Sequence, residues 1–169
     1  MKINRITVLL TLMTSMAFAQ SEDFNLKKIR FGGLGFSSSK ETIFRRFGQP
    51  KKIQMLDCGF DEHEQSKNPD HQLIYDHFIY VGGHKDIFLL QTVNFDRLGK
   101  VKLQYNHTEL SGLTTKDQLI IIIGQDAKKS FLKNPDKNVV LLMVKGTDEG
   151  GTFTFKNGKL IKFEYSSPC

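Results

Sequence analysis

No tryptophan occurs anywhere in this chain, and its two cysteines, Cys58 and Cys169, form no Cys-x-x-Cys pair. The second absence excludes a thioredoxin-like redox centre. There is no nucleophile elbow and no His-Glu-x-x-His, so the usual signatures of a serine hydrolase and a zinc protease are missing. Gly32-Gly33-Leu34-Gly35 has the look of a phosphate loop. It lacks the third glycine of a dinucleotide motif and the Gly-Lys-Ser/Thr of a P-loop, and reads instead as a turn leading into a helix. No apolar run reaches the roughly 20 residues a membrane-spanning helix needs. These absences predict a protein that is not an enzyme and calls for no cofactor. Without tryptophan, aromatic packing falls to 14 phenylalanines and 4 tyrosines, which at this size mainly build core.

Excess charge is also scarce. The net charge of +6 falls to +4 if residues 1–19 are removed, because Lys2 and Arg5 go and no acidic residue does, leaving 22 basic against 18 acidic residues. So mild a surplus is ordinary solubility chemistry and gives no reason to propose nucleic acid as a partner.

Residues 1–19 read as an export signal. Lys2 and Arg5 form a charged start, Ile6 to Met16 a short apolar stretch, and Ala17-Phe18-Ala19 a small-residue cleavage site that leaves Gln20 as the mature start. The expected location is a periplasm or the cell exterior. In such a compartment an even cysteine count predicts one disulfide, Cys58–Cys169. It would close a long loop and stabilise the fold by roughly 4–5 kcal/mol.

What the sequence does contain is an apparent repetition. Ser38-Ser39-Lys40-Glu41 has the spacing of a capping box, followed by Ile43, Phe44 and Phe47 on one helical face and closed by Gly48 and Pro50. Thr115 and Gln118 are spaced in the same way, before Leu119-Ile120-Ile121-Ile122-Ile123 and Gly124. The β-branched run alone would suggest a strand. The matching start and stop signals predict a helix, buried on most sides because it is apolar all round. Strands are expected at 51–56, 72–81, 86–95 and 100–105, and again at 127–132, 138–145, 151–156 and 159–165. Gly82-Gly83 and Glu149-Gly150-Gly151 are expected turns, and Asn157-Gly158 is a type I′ signal. Each copy is expected to close on a hairpin, 93–105 in the first and 153–165 in the second. In these, Phe153, Phe155, Ile161, Phe163 and Tyr165 alternate with Thr152, Thr154, Lys156, Lys162 and Glu164. Val93, Phe95, Val101, Leu103 and Tyr105 alternate likewise with polar neighbours. Such alternation predicts an antiparallel sheet with one wet face. The fold class is α+β: tandem helix-plus-antiparallel-sheet repeats at 20–106 and 107–169, with the helices packed on one sheet face.

These motifs, an apolar residue and Ser/Thr ahead of Lys-Glu/Asp, then Phe/Ile-Gly-Gln, then strands ending in Gly-Lys-Leu, resemble the repeat of the beta-lactamase inhibitory protein. The same unit occurs in the small outer-membrane assembly lipoproteins. The resemblance covers most of residues 34–165. It implies tandem units whose open sheet face and loops bind another protein. The chain departs from the lipoproteins in lacking a cysteine at the cleavage site, and the first copy carries an insertion, Asp57 to Gln72.

That insertion is the most polar stretch and holds Asp57, Asp61, Glu62, His63, Glu64, Asp70 and His71. Its spacing matches no zinc or calcium signature, so a solvated loop is expected rather than a metal site. The segment 72–81 is apolar on both sides, with Leu73, Tyr75 and Ile79 against Ile74, Phe78 and Tyr80. Either one set is exposed as an interface, or the strand is central and covered on both faces. The expected function is an exported protein-binding module (inhibitor, immunity factor or envelope assembly adaptor) acting on another envelope or extracellular protein. Its expected contacts are Phe60, Asp61, His63, Tyr75, Tyr80, Lys100 and Lys102. The alternative is a periplasmic small-ligand or metal-binding domain using the same loop.

Overall fold

The computed structural model describes residues 23–56, 70–133 and 138–167. A 3-10 turn at Leu26–Lys28 leads into β1 (Ile29–Phe31), β2 (Leu34–Gly35), β3 (Ser37–Ser39), helix α1 (Lys40–Phe47) and β4 (Lys52–Met55). After residue 70 come β5 (His71–Ile74), β6 (Phe78–Gly82), β7 (Ile87–Asn94), β8 (Lys102–Tyr105) and β9 (Thr108–Ser111). Helices α2 (Lys116–Ile123) and α3 (Gln125–Lys133) precede β10 (Val139–Met143), β11 (Gly150–Lys156) and β12 (Lys159–Ser166). The fold is mixed, with antiparallel sheets carrying most of the structure. Among the described residues no helix is long and apolar enough to cross a membrane.

Both helix starts carry a side-chain cap. Ser39 accepts from the Thr42 amide, not Ser38 in a box with Glu41 as the spacing predicts. The shift has a cause: Ser37–Ser39 pair with Leu89–Ile87 of β7, so the chain is extended until Lys40. At α2 the box forms as expected, with the Gln118 amide donating to Thr115 Oγ1 and the Thr115 amide to Gln118 Oε1. Both helices end as their glycines predict, the amides of Gly48 and Gly124 each closing 2.8 Å onto the carbonyls of Phe44 and Ile120. The expected burial of α2 is corrected. Leu119 and Ile123 are enclosed, while Ile121 is 80 % exposed.

Residues 127–132, expected as a strand, lie within α3. Ala127 and Phe131 are buried four apart, with Lys128, Lys129 and Leu132 outward, which is a helical period and not an alternation. The expected single strand 72–81 is two strands, β5 and β6, reversing at Tyr75–His77. The turn expected at Glu149–Gly151 comes earlier, because Gly150 and Gly151 belong to β11. A side chain at either would press on its neighbours: a Cβ would lie 2.6 Å from the Leu142 carbonyl oxygen at Gly150, and 2.8 Å from the Phe163 ring at Gly151. The hairpin at Asn157-Gly158 forms with φ of 53° and 73°, the paired positive values a type I′ turn requires.

The larger sheet has the order β10-β11-β12-β7-β6-β5-β4, with β3 also on β7. The smaller has the order β2-β1-β8-β9. The hairpin expected at 93–105 is therefore corrected: β7 stays in the large sheet against β12, while β8 crosses to the small one. One edge of β7 is shared, with β3 on residues 87–89 and β12 on residues 92–94. In β12 the expected alternation is broken by a bulge. Phe155 pairs with Leu160 and Thr154 with Lys162, so Leu160 takes the core position and Ile161 turns outward.

Burial of the apolar side chains is one-sided, although Thr92 on the other face is also enclosed. Leu73, Tyr80, Leu90, Val93, Phe153 and Phe163 are fully enclosed on one face of the large sheet. Onto that face pack Ile29, Phe31, Leu103 and Tyr105 of the small sheet, together with the buried residues of the three helices. Phe24 stacks on Tyr105 at 5.7 Å and meets Phe153 edge-on at 6.3 Å, so the segments 20–106 and 107–169 share one core.

Candidate functional site

On the face of the large sheet opposite the core, Ile74, Ile79, Val81 and Leu89 lie outside the core cluster of the described residues. Strand register fixes what this face presents. One row runs across all seven strands of the sheet path: Lys52, Ile74, Ile79, Thr92, Glu164, Thr152, Leu141. A neighbouring row places Gln54 beside Gln72, then Val81 and Leu89. The β5–β7 part of the face is therefore apolar, formed by Ile74, Ile79, Val81 and Leu89, all half-buried, while Thr92 and Glu164 stand in the middle of the row.

Polar side chains on this face are tied to one another. Gln54 Nε2 donates to Gln72 Oε1 at 2.7 Å, and Gln72 Nε2 donates to Gln91 Oε1 at 3.4 Å. Gln91 stands where the β6–β7 register shifts, the extra residue of a bulge. Lys162 Nζ and Glu164 Oε1 are 2.6 Å apart. Such mutual ties hold the side chains in fixed positions on the surface and lower the entropy lost when a partner arrives.

The residues expected to bind are scattered. Phe60, Asp61 and His63 lie outside the described residues, as do Cys58 and Cys169. Tyr75 sits in the β5–β6 turn, stacked on Phe78 at 4.4 Å, with its hydroxyl donating to the Gly48 carbonyl at the end of α1. Burial raises its pKa above the ordinary value. Tyr80 is corrected: it is wholly enclosed, its hydroxyl finds no hydrogen-bond partner among the described residues, and it is core rather than surface. Burial foremost, and then the neighbouring Tyr75, push its pKa up. Lys100 and Lys102 are exposed, but they lie at the start of the small sheet, on the layer away from the open face. Lys102 there pairs with Glu109 at 2.7 Å.

Of the two alternatives for 72–81, the outcome is divided. Leu73 and Tyr80 face the core, and Ile74 and Ile79 face outward across one register pair. The glutamines were missed. Their signal is alternation with apolar residues in β4 and β5, which is legible only when the strand boundaries are known. Among the described residues no three His, Cys, Asp or Glu side chains gather to hold a metal ion.

Comparison with known proteins finds no match: no family model, no curated protein and no solved structure resembles the chain. The functional reading rests on the surfaces themselves.

Proposed function

We propose that this chain is an exported, non-enzymatic binding module that docks on another protein of the cell envelope or exterior through the open face of its large sheet. The observation that carries this reading is the continuous row from Lys52 to Leu141, in which an apolar patch on β5–β7 adjoins the polar Thr92, Glu164 and Thr152. Seven strands about 4.8 Å apart span roughly 30 Å, and strands of this length rise roughly 20 Å. A face on the order of 600 Å² approaches the roughly 800 Å² each partner contributes to a standard protein interface. A mix of apolar patch and polar side chains is the usual make-up of such an interface.

The tandem architecture belongs to the same proposal. After capped α1 the chain forms the meander β4-β5-β6-β7, and after capped α2 and then α3 the meander β10-β11-β12, and the two join at their last strands. Their helix caps also correspond: Ser39 pairs with Ile87, the first residue of β7, and Thr115 bridges Lys159, the first residue of β12. This correspondence supports two related units whose closing strand is β7 in one and β12 in the other. It aligns β7 with β12, where the sequence pattern aligned 93–105 with 153–165.

The test is capture from envelope extract by the immobilised protein, repeated with Ile79→Asp and Val81→Lys. A stoichiometric partner retained by the parent and lost with both variants supports the reading. A partner retained equally by all three removes this face from the function.

A further inference from the structure

We propose that a second surface, the cleft where the 95–101 and 111–114 turns meet α2, binds an extended segment of a partner protein with apolar anchors and acidic flanks. It lies where these turns and α2 meet the β11–β12 hairpin.

Two rigid turns build it. The Asp96 carboxylate accepts from the Leu98 amide at 2.8 Å and the Val101 amide at 2.6 Å, fixing the first turn. In the second, the Ser111 amide donates to Thr114 Oγ1 at 2.9 Å and the Leu113 amide to Ser111 Oγ at 3.2 Å. Gly112 lets the turns touch, since a Cβ there would collide with the Asp96 carbonyl oxygen. The Leu160 amide donates to the Thr114 carbonyl and Lys159 Nζ to the Leu113 carbonyl, locking the second turn onto β12.

This framework holds large apolar side chains in water. Leu113 is 53 % exposed, Ile121 80 % and Ile161 36 %. Exposed apolar residues scattered singly need no explanation, but a cluster at a concavity does. Two adjoining grooves, of about 550 Å³ and about 340 Å³, share Leu113 as their common wall. Gly99, Ile121 and Ile122 line the first, and Phe95 and Ile161 the second. A pair of neighbouring concavities suits successive side chains of an extended chain.

Charge selects the occupant. Arg97, Lys102, Lys156 and Lys159 border the grooves against Asp96 and Glu109. Glu109 is held by Lys102, and the Asp96 carboxylate is taken up by backbone amides. Arg97 and Lys156 form no ion pair among the described residues. Around the second groove Arg97, Lys156 and Lys159 outnumber Asp96, so its rim is cationic beside an apolar floor, which is complementary to carboxylates flanking apolar side chains.

The test uses the full chain as bait for a displayed library of random 12-residue peptides. The expected result is enrichment of peptides carrying Leu, Ile or Phe beside two or more Asp or Glu. Their affinity should fall about tenfold or more in both Leu113→Ser and Ile121→Ser, and fall again with Arg97→Glu and Lys156→Glu. Ile121 is so exposed that its serine variant should keep the parental melting temperature, which separates lost binding from lost folding. Enriched peptides without acidic residues, peptides that bind all variants equally, or no enrichment at all would overturn the proposal. Binding of phosphatidylglycerol vesicles that disappears with the same serine variants, in the absence of selected peptides, would assign the patch to lipid and overturn it too.

Discussion

Thr115, the N-cap of α2, forms an antiparallel bridge with Lys159 at the start of β12, so one residue both begins a helix and anchors it to the sheet. The cap is reciprocal, with Gln118 reaching back to the Thr115 amide. Thr115→Ala removes one arm of the box while leaving the backbone bridge. It should lower stability by about 1 kcal/mol, read as the shift in a urea unfolding midpoint. An unchanged midpoint would mean that α2 is held by Leu119 and Ile123 alone.

All four tyrosines, Tyr75, Tyr80, Tyr105 and Tyr165, have pKa values raised above the ordinary 10.0, each chiefly by burial. Donation from Tyr165 to Glu149 adds to the last. The folded state therefore keeps these protons to higher pH than the unfolded state does. Where the folded form binds more protons, stability falls as pH rises. The unfolding midpoint should be insensitive to these groups below about pH 9 and drop above about pH 10. A midpoint that holds steady to pH 11 would contradict the enclosure of these rings.

Tyr80 offers a sharper version. Its hydroxyl is buried without a hydrogen-bond partner among the described residues, and an unsatisfied buried polar group costs about 1–3 kcal/mol. Tyr80→Phe keeps the ring and deletes the cost, so it should be neutral or stabilising in the same unfolding measurement. A loss above about 1 kcal/mol would show that the hydroxyl is satisfied.

Ser130 closes one end of the large sheet. Its hydroxyl donates to the Leu141 carbonyl at 2.9 Å and accepts from the Leu141 amide at 3.1 Å, covering the outer edge of β10. Unpaired edge strands invite association. Ser130→Ala should lower stability by about 1 kcal/mol and increase self-association with concentration, measured by sedimentation velocity. A variant that stays at the parental oligomeric state at all concentrations would show that α3 protects the edge by bulk alone.

Export makes its own prediction. Protein recovered from the envelope should begin at Gln20, and a peptide map without reductant should contain a fragment joining Cys58 to Cys169. A start at Met1 would remove the export reading, and free thiols at both positions would remove the bridge.

How far the sequence could be read depended on whether the deciding signal was local. The α2 box, the glycine ends of α1 and α2 and the Asn157-Gly158 turn were legible because a cap or a positive φ is set by adjacent residues. The helical α2 was legible despite five apolar residues in a row, since Thr115 and Gly124 bracket it. Non-local pairing was not legible. Nothing near residue 100 announces that β7 pairs with β12 and β8 with β1, because that choice is made by strands far along the chain. Tyr80 was misplaced for a related reason: in a two-sided apolar strand, which face is covered depends on what packs above it. The open face was anticipated as a polar sheet surface. Its apolar patch at Ile74, Ile79, Val81 and Leu89 follows only from the register across β5, β6 and β7.

The open face is the central claim, and a photo-reactive cross-linker tests it most directly. A benzoylphenylalanine would replace Ile79 or Gln72 on the face, and Glu41 or Lys128 on the exposed sides of α1 and α3 as controls. Irradiated in living cells, the face positions should each yield the same single heavier adduct and the control positions none. No adduct from Ile79 and Gln72, or identical adducts from all four positions, would contradict docking through this face.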